Sequence, residues 1–324
     1  MINFEYVKAL STKSAVDART KHTASQFIAG GTNLVDLMKK GISNPERLID
    51  ITGLPLNTIT ADSKGITIGA LVPNSTVAEH YIIQKQYPVL AMALNAGASA
   101  QLRNMATVGG NIMQRTRCSY YYDINMPCNK RNAGSGCGAK EGYNRMHAIF
   151  GASDSCIAVH PSDMCVALAA LDATVLVTGQ KGDKKILFTD FHRLPGSTPH
   201  LDNNLQPGEL ITAVHIPTHS FNKFYYLKIR DRLSYAFALV SVAVALEVKD
   251  GIIKKAHLAM GGVAHKPWRL YAVESFLQQK AISPTVFDEA AVLAMQGAVT
   301  FQHNAYKIKL GKAAIKEALS KAAE

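Results

Sequence analysis

The chain has 324 residues, 48% of them hydrophobic and 18% charged, which supplies apolar material for two or three globular domains and excludes a disordered protein. No apolar run approaches the roughly 20 residues that span a bilayer, and the first residues show no basic stretch leading into an apolar one, so neither a membrane span nor an export signal is expected. The formal net charge of +11 suits nucleic acid, an acidic protein surface or a phosphate-bearing ligand; with no helix-turn-helix or aromatic RNA-binding sheet pattern beside it, nucleic acid ranks last.

The first 50 residues read as a β-α-β-α-β unit: a strand near Asn3–Lys8, a helix opened by Ser11, a strand Gln26–Ala29, a helix Thr32–Lys40 closed by Gly41, and a strand Arg47–Ile51. A second segment begins near Gly65 with the alternating strand Ile66–Leu71, a helix from Ser75 and an apolar helix around Pro88–Ala96. It resumes with a helix Ser162–Leu171, a strand Thr174–Val177, and a hairpin turn marked by Gly179 and Gly182 before Lys185–Thr189. From about Phe221 two long strand-like runs, Phe224–Val248 broken at Asp231 and Ile252–Met260, precede three helix patterns. Ser283 and Pro284 form a good N-cap and N1 pair there, with Val286, Phe287, Ala290 and Ala294 on one face. The expected class is α+β, ending in an antiparallel sheet packed with helices.

Two turns share a recipe. Ala29-Gly30-Gly31-Thr32-Asn33-Leu34 follows a strand and opens a helix, so its backbone N–H groups can approach a phosphate while the helix N-terminus favours negative charge. Ala106-Thr107-Val108-Gly109-Gly110-Asn111 repeats the pattern about 75 residues later. A single such turn is most often a tight connection; a pair can grip the two phosphates of one pyrophosphate. No G-x-G-x-x-G followed by an acidic residue occurs, which favours a dinucleotide other than NAD.

Four of the five cysteines, Cys118, Cys128, Cys137 and Cys156, fall in one glycine- and asparagine-rich stretch, with nine, eight and eighteen residues between neighbours. Four thiolates can hold zinc, hold a [4Fe-4S] cluster or form two disulfides. Zinc usually recruits C-x2-C pairs, and disulfides are unexpected without an export signal, so iron–sulfur is favoured while zinc and bystander thiols stay open. Arg115, Arg117, Lys130 and Arg131 nearby would offset the thiolate charge; a solvated surface loop is the plainer reading of the same cluster of cations. Cys165, on the apolar helix, reads as a buried small hydrophobe.

Taken together, Ile28-Ala29-Gly30-Gly31-Thr32-Asn33-Leu34, Arg103-Asn104-Met105-Ala106-Thr107-Val108-Gly109-Gly110-Asn111, Pro161-Ser162-Asp163 and Gly261-Gly262-Val263-Ala264 resemble the FAD-binding medium subunits of the xanthine dehydrogenase and aldehyde oxidase family, the molybdenum hydroxylases, nearly end to end. The cysteine loop narrows the likeness to flavin subunits with an extra [4Fe-4S] cluster, those of bacterial periplasmic aldehyde oxidoreductase and, more distantly, 4-hydroxybenzoyl-CoA reductase. The resemblance implies a two-subdomain FAD-binding fold of PCMH type over residues 1–219, with subdomains of about 1–55 and 56–219 and a cysteine-rich cluster loop 112–160. A C-terminal domain of the CO dehydrogenase flavoprotein type follows over 220–324.

By the same resemblance, Ile28 to Leu34 with Thr107, Gly109, Gly110 and Asn111 lie against the FAD pyrophosphate. Ser162 and Asp163 are polar partners of the flavin, Ile211 and Lys228 approach its ring, and Cys118, Cys128, Cys137 and Cys156 hold the cluster. No residue is assigned a catalytic role. The resemblance implies that the substrate, an aldehyde going to a carboxylic acid in this family branch, is oxidised on a large molybdenum-cofactor subunit; [2Fe-2S] clusters of a small subunit pass electrons to FAD and on to an external acceptor. The ferredoxin spacing C-x4-C-x2-C is missing here, so this chain reads as the relay of a heterotrimer. The resemblance implies a periplasmic location reached on a partner's signal, whereas the residues alone imply the cytoplasm. A stand-alone flavoenzyme and a zinc-stabilised binding module are the rival readings.

Overall fold

Three sheets follow one another along the chain, and the computed structural model describes all residues, 1–324. In the first, Glu5–Lys8, Arg47–Asp50 and Ser25–Ile28 lie side by side in that order, all parallel. Parallel neighbours require crossovers, supplied by the helices Thr12–Lys21 and Leu34–Lys39. Ser11 caps the former in a reciprocal box with Ser14. The latter starts at Leu34, two residues later than expected, because Gly31 sits at φ +70° and the first helical bond runs from Val35 N–H to Gly31 C=O. Its far end is closed by Gly41 at φ +69°, with Ile42 N–H reaching back to Leu37 C=O.

The second sheet is antiparallel, in the order Ile59–Asp62, Gly65–Gly69, Leu210–Pro217, Thr174–Gly179, Gly182–Leu187. Its central strand, Leu210–Pro217, and its edge strand Ile59–Asp62 were not expected from the sequence. The predicted hairpin closes with Gly179 paired to Gly182. The sheet buries Ile66, Ile68, Val175, Val214 and Ile216 against two helices, Pro88–Ala96 and Asp163–Ala170.

All eight residues of Asp163–Ala170 are buried, as expected for a helix apolar on every side. Its other face meets the third sheet through Ala243 and Ala259. That sheet runs Trp268–Arg269, Ile252–Gly261, Val240–Lys249, Lys223–Ile229, antiparallel throughout. Along Val240–Lys249 alternate residues Val240, Val242, Val244 and Leu246 point away from the buried helix, into a core closed by the helices Pro284–Ala294 and Tyr306–Ala323. With both faces covered, the strand reads as a continuous apolar run. The N-terminus of the central helix, carrying Ser162 and Asp163, is thereby fixed where the second subdomain and the C-terminal sheet meet. No helix is long and apolar enough to cross a membrane.

Candidate cofactor site

Between the first and second sheets opens a cleft of about 1620 Å³. Every residue from Ile28 to Leu34 lines it, as do Thr107, Gly109, Gly110 and Ile211; Phe27, Leu37 and Leu71 supply apolar wall. The structure therefore brings both glycine turns to one cavity, although they belong to different subdomains.

The two turns offer different chemistry. The backbone N–H groups of Gly30, Gly31, Thr32, Asn33 and Leu34 donate to no acceptor within the protein, which leaves five consecutive donors on the cleft. In the second turn Val108 N–H bonds to Val72 C=O, Gly109 N–H to Ala70 C=O, and Gly110 N–H to the Thr107 hydroxyl oxygen. The latter turn is held by its own neighbours and keeps mainly the Thr107 hydroxyl proton for a ligand. Both helices behind the turns are short, six residues at Leu34–Lys39 and five at Val108–Ile112. Helix dipoles therefore contribute less than the sequence argument supposed, and the free N–H groups carry the site.

The turns also touch. An ideal Cβ at Gly30 would fall 1.8 Å from the Met105 carbonyl oxygen, so this glycine is required for close backbone approach. Asn33 locks the same junction, its side-chain oxygen accepting from Arg115 N–H at 2.9 Å.

Asn111, expected against the pyrophosphate, lines neither this cleft nor a second, smaller one, and its side chain contacts the wall of the latter. Its side-chain oxygen accepts from the Ser162 hydroxyl, and Ser162 caps the central helix by accepting from Cys165 N–H. Ser162 and Asp163 line a cavity of about 890 Å³ with His160, Cys118, His147 and Phe237. Asp163 accepts at 2.8 Å from Lys228 Nζ on one oxygen and at 2.8 Å from the Tyr226 hydroxyl on the other. Lys228 also donates to Ala96 C=O, and its side chain is 3% exposed. The lysine is neither solvated nor a free cation, and Tyr226, two residues earlier on the same strand face, is a partner of Asp163 that the sequence motifs did not point to.

The four loop cysteines, Cys118, Cys128, Cys137 and Cys156, line one cavity of about 280 Å³, and all are free thiols. A hairpin pairs Cys128 with Cys137, through Asn129 N–H to Gly136 C=O and Gly138 N–H to Pro127 C=O. Burial pushes the Cys118 thiol up to about 12, and neighbouring thiols add to it while the N–H groups of Tyr121 and Tyr120 oppose it. Cys156 is pushed up to about 11 by burial, against an N–H bond from Ala158 and the nearby Lys130. Cys118 Sγ lies 3.1 Å from His147 Nε2 and also faces the Asp163 cavity.

The one set of three ligand-type side chains whose donor atoms all lie within 4.8 Å of one another is elsewhere: His160, Cys165 and His192. Cys165 is fully buried on the central helix.

Of the four loop cations, two do not serve the thiols. Arg117 pairs with Asp36, and Arg131 donates to the carbonyls of Tyr120, Tyr121 and Ile124, clamping the loop. Lys130 and Arg115 do face the cysteines, but both also bind Asp202, which the sequence reading overlooked. Burial alone would push the Asp202 carboxyl up; Arg115 and Lys130 together hold it well below the usual carboxylate range. Lys130, 2% exposed, donates further to Pro199 C=O and lies 2.8 Å from His265 Nε2. The cysteine loop is thus bolted to the 199–202 segment by a buried ionic network.

Residues 2–219 match the family described as the FAD binding domain in molybdopterin dehydrogenase, and residues 225–322 the CO dehydrogenase flavoprotein C-terminal domain. The chain is 47% identical, over 98% of both chains, to the aldehyde oxidoreductase FAD-binding subunit PaoB of Escherichia coli (strain K12). It is 28% identical to the glyceraldehyde dehydrogenase medium chain of Sulfolobus acidocaldarius, over 89% of this chain and 85% of that one. Among solved structures, a chain of quinoline 2-oxidoreductase from Pseudomonas putida 86 superposes with a TM-score of 0.77 at 23% identity, covering 99% of this chain and 97% of that one. A chain of the carbon monoxide dehydrogenase from Hydrogenophaga pseudoflava gives 0.78 at 23%, over 99% and 98%. These two share the fold. The cleft with its free N–H groups and the end-to-end sequence match agree: the chain is an oxidoreductase subunit that belongs to the FAD-binding medium subunits of the molybdenum hydroxylase family.

Proposed function

We propose that this chain is the electron relay of a heterotrimeric aldehyde oxidoreductase, holding one FAD and one [4Fe-4S] cluster and passing electrons from a small partner's [2Fe-2S] clusters to an external acceptor. The aldehyde would be oxidised to a carboxylic acid on a large molybdenum-cofactor partner. The observation that carries the flavin site is the run of five unpaired backbone donors, Gly30 to Leu34, on the large cleft. Such N–H groups suit a pyrophosphate, being fixed, uncharged in themselves and free of desolvated side chains. Thr107 adds a hydroxyl, and Ile211 an apolar contact. Asp163 and Lys228 serve as a hydrogen-bonded pair near the ring, with Tyr226 fixing the carboxylate.

FAD, when bound, accepts electrons from one donor and returns them to another. The chain's own contribution is to hold it, exclude water and set its potential.

The reading of the cysteines as cluster ligands rests on their sharing one small cavity. A single zinc ion with Zn–S of about 2.3 Å would gather four sulfurs within about 4 Å of one another. The loop sulfurs are spread more widely than the 4.8 Å set at His160, Cys165 and His192, which suits a larger group. Export of the folded complex on a partner's twin-arginine signal completes the proposal, and cell fractionation tests it.

The aldehyde class comes from the Escherichia coli relative. Anaerobic addition of an aldehyde to the assembled complex is expected to bleach the flavin, while the isolated chain stays oxidised. Bleaching of the isolated chain by substrate would instead support a stand-alone flavoenzyme.

A further inference from the structure

Three consecutive tyrosines open the cysteine loop, and two of them have partners for their hydroxyls. The Tyr120 hydroxyl accepts from Tyr143 N–H at 2.6 Å, and the Tyr122 hydroxyl accepts from Arg117 at 2.6 Å. Tyr121 differs. It is fully buried, and its hydroxyl has no hydrogen-bond partner in the protein. Its backbone is satisfied on both sides, N–H to Cys118 C=O and C=O from Arg131. The ring packs on Leu37 and Cys128, under the Arg115 guanidinium 4.9 Å from its centroid, and lines the cavity shared by the four cysteines.

A buried hydroxyl left unpaired costs about 1–3 kcal/mol, and a phenylalanine would fill the same space without that cost. A phenol is protonated at neutral pH and is therefore a donor. The acceptors this cavity would receive are the sulfurs of the group its cysteines hold.

We propose that the Tyr121 hydroxyl donates a hydrogen bond to a sulfur of the iron–sulfur group held by Cys118, Cys128, Cys137 and Cys156, and raises that group's reduction potential. Each added electron makes the sulfurs more negative, so a donor aimed at them stabilises the reduced form. Tyr121 is a positioning and tuning residue here, not a ligand. The proposal rests on the cluster reading above.

The test is a redox titration of the complex carrying Tyr121→Phe, followed by electron paramagnetic resonance and optical absorption, with iron and FAD measured on the same sample. Expected are unchanged iron and FAD contents, an unchanged flavin midpoint and a cluster midpoint shifted to lower potential. Tyr122→Phe, whose hydroxyl is already engaged by Arg117, should leave the cluster midpoint in place. A Tyr121→Phe protein that keeps its iron at an unshifted midpoint overturns the tuning role while the cluster stands, as does an equal shift in Tyr122→Phe. Loss of iron from Tyr121→Phe would make the hydroxyl structural and also overturn it. A wild-type chain without iron overturns both readings at once.

Discussion

Gly30 and Met105 meet backbone to backbone, close enough that a Cβ on the glycine would lie 1.8 Å from the methionine's carbonyl oxygen and 2.7 Å from its carbonyl carbon. Since Met105 leads into the second glycine turn, one missing side chain determines how the two subdomains close over the cleft. Gly30→Ala should therefore destabilise even the FAD-free chain, by on the order of 1–3 kcal/mol, and lower its FAD content. Gly110→Ala should cost less, because its Cβ would meet only Thr107 Oγ1, at 3.0 Å. Thermal unfolding of both variants with and without added FAD checks this; a Gly30→Ala chain as stable as wild type when free of FAD would point to the ligand alone as the reason for the glycine.

Asp163 and Lys228 form an ion pair whose side chains are 7% and 3% exposed. Removing one partner strands the other charge in the interior, at a cost of about 3–5 kcal/mol. Asp163→Asn and Lys228→Met should each lose stability and FAD. The double variant is expected to lose less stability than the two single losses added together, as denaturant unfolding would read it. Strict additivity would mean that the two side chains act independently.

Cys128→Ser is expected to remove most of the iron bound to the chain, and Cys165→Ser to leave it in place, because the former lines the shared cavity and the latter lies on the central helix. Metal analysis of both proteins decides. Equal losses would identify the wrong ligands, and loss only in Cys165→Ser would shift attention to its cluster with His160 and His192.

Acid should weaken the fold through its buried histidines. Burial lowers His192 and His265 from 6.5 to about 4, with Lys130 adding to the effect at His265, and burial likewise holds His160 well below its ordinary value. The unfolded chain thus binds more protons than the native one between these values. The stability is fully present above about pH 6.5 and is lost as pH falls toward 4, where protonating the buried imidazoles requires the fold to open. His192→Gln keeps a donor for Ile112 C=O but does not titrate, so its melting temperature should fall less steeply with acid than that of the wild type. A parallel pair of curves would contradict this.

What could be read from the residues was whatever is decided locally. Pro88 at N1 and the run to Ala96 mark a helix that forms over those residues, and Ser162 before an apolar stretch marks the central helix. The strand Leu210–Pro217 escaped because its pairing is not local. It inserts between Gly65–Gly69 and Thr174–Gly179, and a register shift at Leu176/Val177 puts Leu210 and Ile211 both in buried positions, which blurs the alternation of a strand. Tyr226 carried a usable signal, standing two residues from Lys228 on the same face. Asp202 carried none: it is one aspartate in a polar loop, joined to Arg115 and Lys130 only by tertiary folding. For the same reason, counting basic residues overstated the charge available to the thiols, since Arg117 and Arg131 are committed to Asp36 and to backbone carbonyls.

The most direct measurement is the cofactor content of the natively purified chain, by visible absorption together with iron and flavin analysis. One FAD and four irons per chain are expected, with the iron lost on Cys128→Ser and the flavin reduced on Gly30→Ala. A colourless protein containing neither flavin nor iron would contradict the assignment of both sites.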